Sequence, residues 1–378
     1  MKLTRFLISV FTGSVVALCP PASALTVGVS LPLSGGGAGL GVPTRAGLQF
    51  WPQEIAGEKL KVIVMDDAGD PAAATRNARR FVEDNADVIV GTSVTPAAVA
   101  MTQVANESQV PHFAMAPVEM TDGKDAWSFR IPMPQRFYIA AIVEHMKRSG
   151  LNTIGFLGYS DALGETHLQA LNEQAKAAGM TVTAVERFTR ADTSVTAQAL
   201  RLVSTRPDAI LVAASGGGAA LPQKALKERG YTGKIYHGAA TTSPDFIRLA
   251  GKDAEGALVV SSPEQVPEQL PQSHPGRKVA LDFVQRYESV HGPGTRSLFA
   301  ANMYDVALVL QSTVAVALKQ GKPGTPEFRR ALKAAIESME EIATPKGGLR
   351  YTATDHFGRN ESARVLLTVK DGKWTLIR

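Results

Sequence analysis

At 378 residues the chain is longer than the roughly 250–300 residues at which a single hydrophobic core stops growing, so two lobes are expected. Its one cysteine, Cys19, excludes a disulfide framework, and a composition that is 44% apolar supplies ordinary cores instead. The net charge of +5 comes from bases scattered along the chain, which excludes the clustered basic footprint of a nucleic-acid binder.

In chain order, the first segment reads as an export signal. Lys2 and Arg5 precede an apolar run from Phe6 to Leu18, and Ala22, Ser23 and Ala24 have the small-x-small form of a cleavage site, so residues 1–24 are expected to be a signal peptide cut after Ala24. Leu18 stands where a lipoprotein signal built on Cys19 would need a small residue. The run is interrupted by Thr12, Gly13 and Ser14 and is shorter than the roughly 20 residues that span a bilayer. No later run is expected to be long and apolar enough to do so.

Five short stretches that follow are apolar with little alternation: Leu25–Ser30, Leu60–Met65, Asp87–Val90, Thr153–Leu157 and Asp208–Ala213. Strands covered on both faces read this way. Between them apolar residues recur at helical spacing, as at Ala74, Ala78, Phe81 and Val82, which predicts parallel sheets with crossover helices. Asp70-Pro71, Thr95-Pro96, Ser243-Pro244 and Thr325-Pro326 each place an oxygen-bearing residue before a proline suited to the first helical turn, so four N-caps are expected.

The β/α alternation runs twice, from Leu25 to Phe129 and from Thr153 to Val260, and is followed by helix-like stretches at Arg277–Val290 and Ala300–Leu318. Asp371-Gly372 between two apolar runs predicts a terminal hairpin. The connections Ile131–Pro134, Ser261–Gly276 and Gly347-Gly348 are expected to join the lobes. These divide the mature chain into one lobe of residues 25–131 plus 262–348 and another of 132–261 plus 349–378.

The loop SLPLSGGGAGLG at Ser30–Gly41 fails both phosphate-binding patterns. No Lys follows its glycines, and in each register of G-x-G-x-x-G the last position is Leu40, Val42 or Thr44. Gly158–Ala162 approaches the turn that presents a nucleophilic serine, but its last position is Ala162; a hydrolase would also need a histidine and an acid beside Ser160. The histidines are well separated, so no metal or cofactor is expected.

The series Val29–Gly35, Val64–Asp67 with Asp70-Pro71, Val88–Gly91 with Thr95, Ala116-Pro117, Phe129-Arg130, Gly158–Gly164 and Pro244–Gly256 resembles the periplasmic solute-binding proteins of branched-chain amino-acid ABC transporters over the whole of Leu25–Arg378. The resemblance implies an α/β fold of two doubly wound parallel-sheet lobes joined by three hinge crossings, the type I periplasmic binding fold. It implies a monomer in the periplasm, no enzymatic activity, and a membrane ABC permease as partner, with no nucleic acid. It makes the glycine loop a lip of the interlobe cleft.

By the same resemblance, Ser93, Val94 and Thr95 hold the ligand's carboxylate where a strand meets a helix. Thr95 serves there either as ligand contact or as cap. Ala116, Pro117, Val118 and Met120 follow the proline of the fourth strand, and Ala240 and Thr241 come from the second lobe. The family grips an α-ammonium group with a hydroxyl and an acid at these last positions, and this chain has Met120 and no matching acid. Leu40 and Leu163 stand where relatives carry tyrosines, beside Tyr159, and Ser215 and Gly216 widen the second wall. A small carboxylate-bearing solute, aromatic or otherwise apolar, is therefore the expected ligand, against the alternatives of a branched-chain or other amino acid, an exported serine hydrolase, or a sensor docking on a receptor kinase.

Overall fold

The structure, a computed structural model, describes residues 24–120 and 123–377. The expected signal peptide lies outside the described residues except for Ala24. The first lobe is built from β1 (Leu25–Leu31), α1 (Ala38–Ala46), β2 (Glu54–Ile55), β3 (Glu58–Asp66), α2 (Pro71–Glu83), β4 (Val88–Gly91), α3 (Thr95–Ser108), β5 (His112–Ala114) and β6 (Ser128–Arg130). The chain then forms α4 (Gln135–Arg148), β7 (Thr153–Tyr159), α5 (Ala162–Ala178), β8 (Thr181–Phe188), α6 (Thr196–Ser204), β9 (Ala209–Ala213), α7 (Ala220–Glu228), β10 (Lys234–His237), α8 (Pro244–Ala250) and β11 (Leu258–Ser261). Helices α9 (Arg277–His291), α10 (Leu298–Ala317) and α11 (Pro326–Glu337), strands β12 (Ile342–Thr344) and β13 (Gly347–Leu349), and the hairpin of β14 (Val365–Lys370) and β15 (Lys373–Leu376) complete it.

The first sheet has the order β2-β3-β1-β4-β5-β6 and the second β15-β14-β11-β10-β9-β7-β8. Apart from β2, β14 and β15, neighbouring strands run parallel. Each lobe thus has its first strand flanked by the next two parallel strands, β1 by β3 and β4 and β7 by β8 and β9, which creates a switch point where crossovers leave in opposite directions and the carboxyl ends of the strands leave a crevice. These points lie between β1 and β4 and between β7 and β9.

The lobes have separate cores. Leu25, Val27, Val29 and Leu31 pack with Val88, Phe113, Met303, Leu310, Phe328 and Leu332, while Ile154, Phe156 and Leu211 pack with Ile142, Leu171 and Val260. Gly28 has no side chain because the Phe81 ring occupies that space; an added Cβ would lie 2.3 Å from it. β3 departs from the expected two-sided burial, since much of Glu58–Asp66 is solvent-exposed beside the two-residue edge strand β2.

Three of the four proline doublets are N-caps: Asp70, Ser243 and Thr325 accept from the amides of Ala73, Phe246 and Phe328. The fourth differs, because Thr95 is the first helical residue and Val94, with no capping side chain, precedes it. The terminal hairpin forms as expected, with Asp371 and Gly372 at φ of 51° and 69° in the turn. The glycine pair Gly347-Gly348 is not a lobe connection but part of β13, and Leu349 and Tyr351 still pack in the first core before Ala363 packs in the second. Against expectation, α10 is long and apolar enough to cross a bilayer; it is instead a core helix, with Met303, Val306, Val309 and Leu310 fully buried under the first sheet.

Candidate functional site

Both switch points open on one interlobe cavity. From the first lobe it is lined by Ser93 and Thr95 after β4 and by Met115, Ala116 and Pro117 after β5. The second lobe supplies Gln135 and Tyr138 from α4, Leu163 and His167 from α5, Ser215 after β9, and Ala239 and Ala240 after β10. Pro132 comes from the first crossing, and Leu298, Phe299 and Asn302 project from the start of α10. No Asp, Glu, Lys or Arg side chain is among these residues. The cavity holds about 40 Å³, so a bulkier guest requires the lobes to part about the crossings.

The polar character of the first-lobe wall follows from how α3 begins. A helix leaves its first amides without intrahelical acceptors, and Pro96 has no N–H, so Thr95 and Ala97 are the donors of this first turn. Thr95, 3% exposed and with its hydroxyl not used as a cap, lines the cavity beside them. Together with the positive end of the helix these groups favour an anion.

Ser93 is placed differently from its neighbour. Its Oγ lies 3.0 Å from Thr44 Oγ1, and Thr44 donates its own proton to the Leu40 carbonyl at 2.7 Å. Ser93 must therefore be the donor to Thr44, and toward the cavity it offers only lone pairs.

On the second-lobe wall, His167 lies in the second turn of α5 and is 2% exposed. Burial pushes its pKa down to about 4, opposed by its contact with the Leu163 carbonyl and by Asp161, so the ring is neutral. Asn302 accepts a hydrogen bond from the buried Lys346 ammonium through Oδ1, which turns its amide nitrogen, a donor, away from Lys346. Burial lowers the Lys346 pKa to about 8 and raises that of Glu264.

These groups belong to a buried polar cluster at the waist. Arg359 pairs with Asp305 and reaches Thr344 Oγ1 at 2.8 Å and the Ile131 carbonyl at 3.4 Å, while Tyr351 donates to the Arg130 carbonyl at 3.0 Å. The segments that pass between the lobes are thereby tied to one another directly behind the cavity.

Of the residues expected from sequence, Ser93, Thr95, Ala116, Pro117, Leu163, Ser215 and Ala240 meet in this cavity. Val94 packs its side chain against Gly37 and Gly69, so only its backbone is available there. Leu40 and Tyr159 line an adjoining hollow of about 260 Å³ with Gly36, Gly39, Ser215, Gly217 and Arg190. Arg190 stacks on the Tyr159 ring at 4.2 Å and bonds to Asp161 and Ser215. The glycine loop therefore flanks the mouth, where Leu40 comes so close to Gly216, itself at φ of +52°, that an added Cβ there would lie 2.9 Å from Leu40 Cδ2.

Val118 and Met120 stand apart from the cavity. Val118 is buried among Ala98, Ala114 and Ala116, and Met120 lines a surface hollow with Arg130, Arg136 and Phe357, because the chain turns away from the cleft after Pro117. Thr241 is fully buried next to the cavity wall, with its hydroxyl unpartnered among the described residues. Ser160 is exposed and Asp161 caps α5, bonding the Leu163 and Gly164 amides; no hydrogen bond joins a described histidine to Ser160.

Sequence reasoning missed Gln135, Tyr138, His167, Phe299 and Asn302. A signal existed for two of them: His167 falls four residues after Leu163 on a buried helical face, and Asn302 and Asp305 interrupt the most apolar of the described helices.

Comparison with known proteins follows the same outline. A family model described as "Periplasmic binding protein" matches residues 24–373. The curated Leu/Ile/Val-binding protein BraC3 of Rhizobium johnstonii is 25% identical over 364 residues, covering 90% of this chain and 90% of that protein. An extracellular ligand-binding receptor of Rhodopseudomonas palustris HaA2 is 47% identical, with a TM-score of 0.92 over 94% of this chain and 100% of that one. A solute-binding protein of an R. palustris ABC transporter, solved in complex with benzoate, shares the fold at 21% identity, with a TM-score of 0.77 over 94% of this chain and 95% of that one.

Proposed function

This chain belongs to the periplasmic binding protein family, in its Leu/Ile/Val-binding type, and from that premise we propose that it captures an apolar, aromatic carboxylate between its lobes for import by an ABC permease. One observation carries the choice of ligand: the uncapped start of α3 and the Thr95 hydroxyl, without a partner among the described residues, belong to a cavity wall whose lining holds no ionised side chain. A carboxylate finds N–H and O–H donors there. The α-ammonium of an amino acid would find no counter-ion, and an unpaired buried charge costs several kcal/mol.

The rest of the lining suits the hydrocarbon part of such a ligand. Met115, Tyr138, Leu163, Leu298 and Phe299 present apolar and aromatic surface from both lobes, so closure buries the ligand from two sides. The family's role requires capture and release, and the described groups supply binding donors without a nucleophile and base in contact.

The test is a thermal-shift screen of the mature protein against benzoate, 3-phenylpropanoate, 4-methylpentanoate and leucine. A ligand at 100 times its Kd adds about 2.7 kcal/mol of stability. The reading expects a rise in Tm with the acids, largest for the aromatic ones; a rise with leucine and none with any acid would overturn it.

A further inference from the structure

We propose that the start of α1 and the turn Gly216–Ala219 after β9 interlock across the mouth of the cleft, and that this contact between the lobes, rather than any contact with ligand, is what Leu40 and Gly216 supply. Both are then positioning residues that set how long a bound solute stays. The proposal starts from the family's capture and release and does not depend on the chemistry of the ligand.

Two glycine runs meet at the mouth, one around Gly35–Gly41 in the first lobe and the other at Gly216-Gly217-Gly218 in the second. In each run most of the space that a side chain would occupy is taken up from the same lobe. A Cβ at Gly37 would lie 2.8 Å from the Pro32 side chain, and one at Gly41 2.1 Å from the Pro32 carbonyl oxygen. A Cβ at Gly217 would lie 2.7 Å from Leu249, and one at Gly218 2.1 Å from the Tyr159 hydroxyl. Packing within each lobe accounts for those glycines.

One glycine in each run is different. The space at Gly216 is met by Leu40 Cδ2 of the first lobe at 2.9 Å, and the space at Gly39 by Asp245 Oδ2 of the second lobe at 3.2 Å. Each lobe thus lacks a side chain where the other lobe inserts one.

The two contacts differ in kind. Leu40 is 5% exposed, and Ala240 of the second lobe packs against the apolar cluster that Leu40 forms with Val94, Leu298 and Phe299. Parting the lobes returns the far end of that side chain to water. Asp245 has Oδ1 engaged by Arg248 at 2.8 Å, while Oδ2 lies beside the first turn of α1, which has neither an acid of its own nor a side-chain cap. The positive end of the helix favours a carboxylate there. Leu40, Gly216 and Asp245 all lie outside the lining of the cavity at Thr95. Contacts made only when the lobes are together shift the equilibrium toward the closed form and slow the release of whatever is inside.

The test uses the absence of cysteine from the chain beyond Cys19, so that an introduced pair reports on itself alone. In Gly39→Cys/Asp245→Cys, disulfide formation under copper–phenanthroline is followed by gel mobility, without ligand and with benzoate, 3-phenylpropanoate, 4-methylpentanoate or leucine. The pair is expected to crosslink, and to do so about fivefold or more faster with any compound that raises Tm. No crosslink in the ligand-bound protein, or a rate that a binding compound leaves unchanged, overturns the interlock. If none of the four compounds raises Tm, the protein without ligand decides: a crosslink supports the contact and its absence overturns it. In Leu40→Ala, release of the bound compound in stopped flow is expected to be about three- to tenfold faster, with association within about twofold. Unchanged release overturns the proposal, and the crosslink stands alone should this variant fail to fold. If leucine alone speeds the crosslink, the interlock stands and the carboxylate reading falls.

Discussion

The Lys346 ammonium bonds to the Asn302 side-chain oxygen, joining the turn between β12 and β13 to the helix that closes the back of the cavity. Lys346 is 1% exposed, and its charge partly offsets the burial that raises the pKa of Glu264 and Asp305, both fully buried acids, while Arg359 pairs with Asp305. Its role is thus to hold the waist together and to set the direction of the Asn302 amide. Lys346→Met keeps most of the length of the side chain and removes the charge. Leaving buried acids without one of their cations is expected to cost about 3–5 kcal/mol in urea unfolding. A loss below about 1 kcal/mol would show that Lys346 is not needed to compensate them.

The neighbouring hydroxyls Ser93 and Thr95 are expected to differ sharply. Ser93 spends its proton on Thr44, whereas Thr95 keeps its own for the cavity. With 3-phenylpropanoate as ligand, Thr95→Val is expected to weaken binding by about tenfold to a hundredfold, the worth of a hydrogen bond to a charged group. Ser93→Ala should change it by less than about threefold. Equal losses in the two variants would mean that the Thr44 bond breaks when ligand enters.

The glycines of the loop after β1 are not equivalent. An alanine Cβ at Gly41 would lie 2.1 Å from the Pro32 carbonyl oxygen, while one at Gly36 meets nothing within 4 Å. Gly41→Ala is therefore expected to destabilise the protein by about 1–3 kcal/mol, through overpacking against backbone that cannot yield. Gly36→Ala should stay within about 0.5 kcal/mol in the same denaturation assay.

Much of this was legible in the chain itself. The β/α alternation, the caps at Asp70, Ser243 and Thr325 and the turn at Asp371-Gly372 are local, so nearby residues determine them. Thr95 reads identically to those caps but is drawn one position into the helix, and nothing within its own segment distinguishes it. Val118 and Met120 were misplaced because direction after Pro117 depends on packing against Ala98 of α3, outside its own segment. His167 and Asn302 gain their meaning only when the lobes close on each other, and that apposition has no local signature.

Acid sensitivity should follow the buried histidines. His112 and His167 both have their pKa pushed down to about 4 by burial, against 6.5 for an unburied histidine, so below 6.5 the unfolded chain binds protons that the native one refuses. Their contribution is complete above 6.5 and is lost as pH falls toward 4, at about 1.4 kcal/mol per pH unit for each. His112 is held by Ser128 and the Gly91 carbonyl and faces the Arg130 cation. His112→Gln should shrink the stability difference between pH 7 and pH 5 by about 2 kcal/mol. An unchanged difference would mean that the protein relaxes to hydrate the imidazolium. Asp87, raised to about 6 by burial, works in the opposite sense, favouring the native state as pH falls, and remains in both proteins.

The measurement that bears most directly on the account compares ligands that share a carbon skeleton and differ only in the α-ammonium: phenylalanine against 3-phenylpropanoate, and leucine against 4-methylpentanoate, by calorimetry at neutral pH. A cavity with anion donors at α3 and no carboxylate in its lining should bind each simple acid at least about a hundredfold more tightly than its amino acid, since an unpaired buried cation costs several kcal/mol. Equal or tighter binding of the amino acids would contradict it.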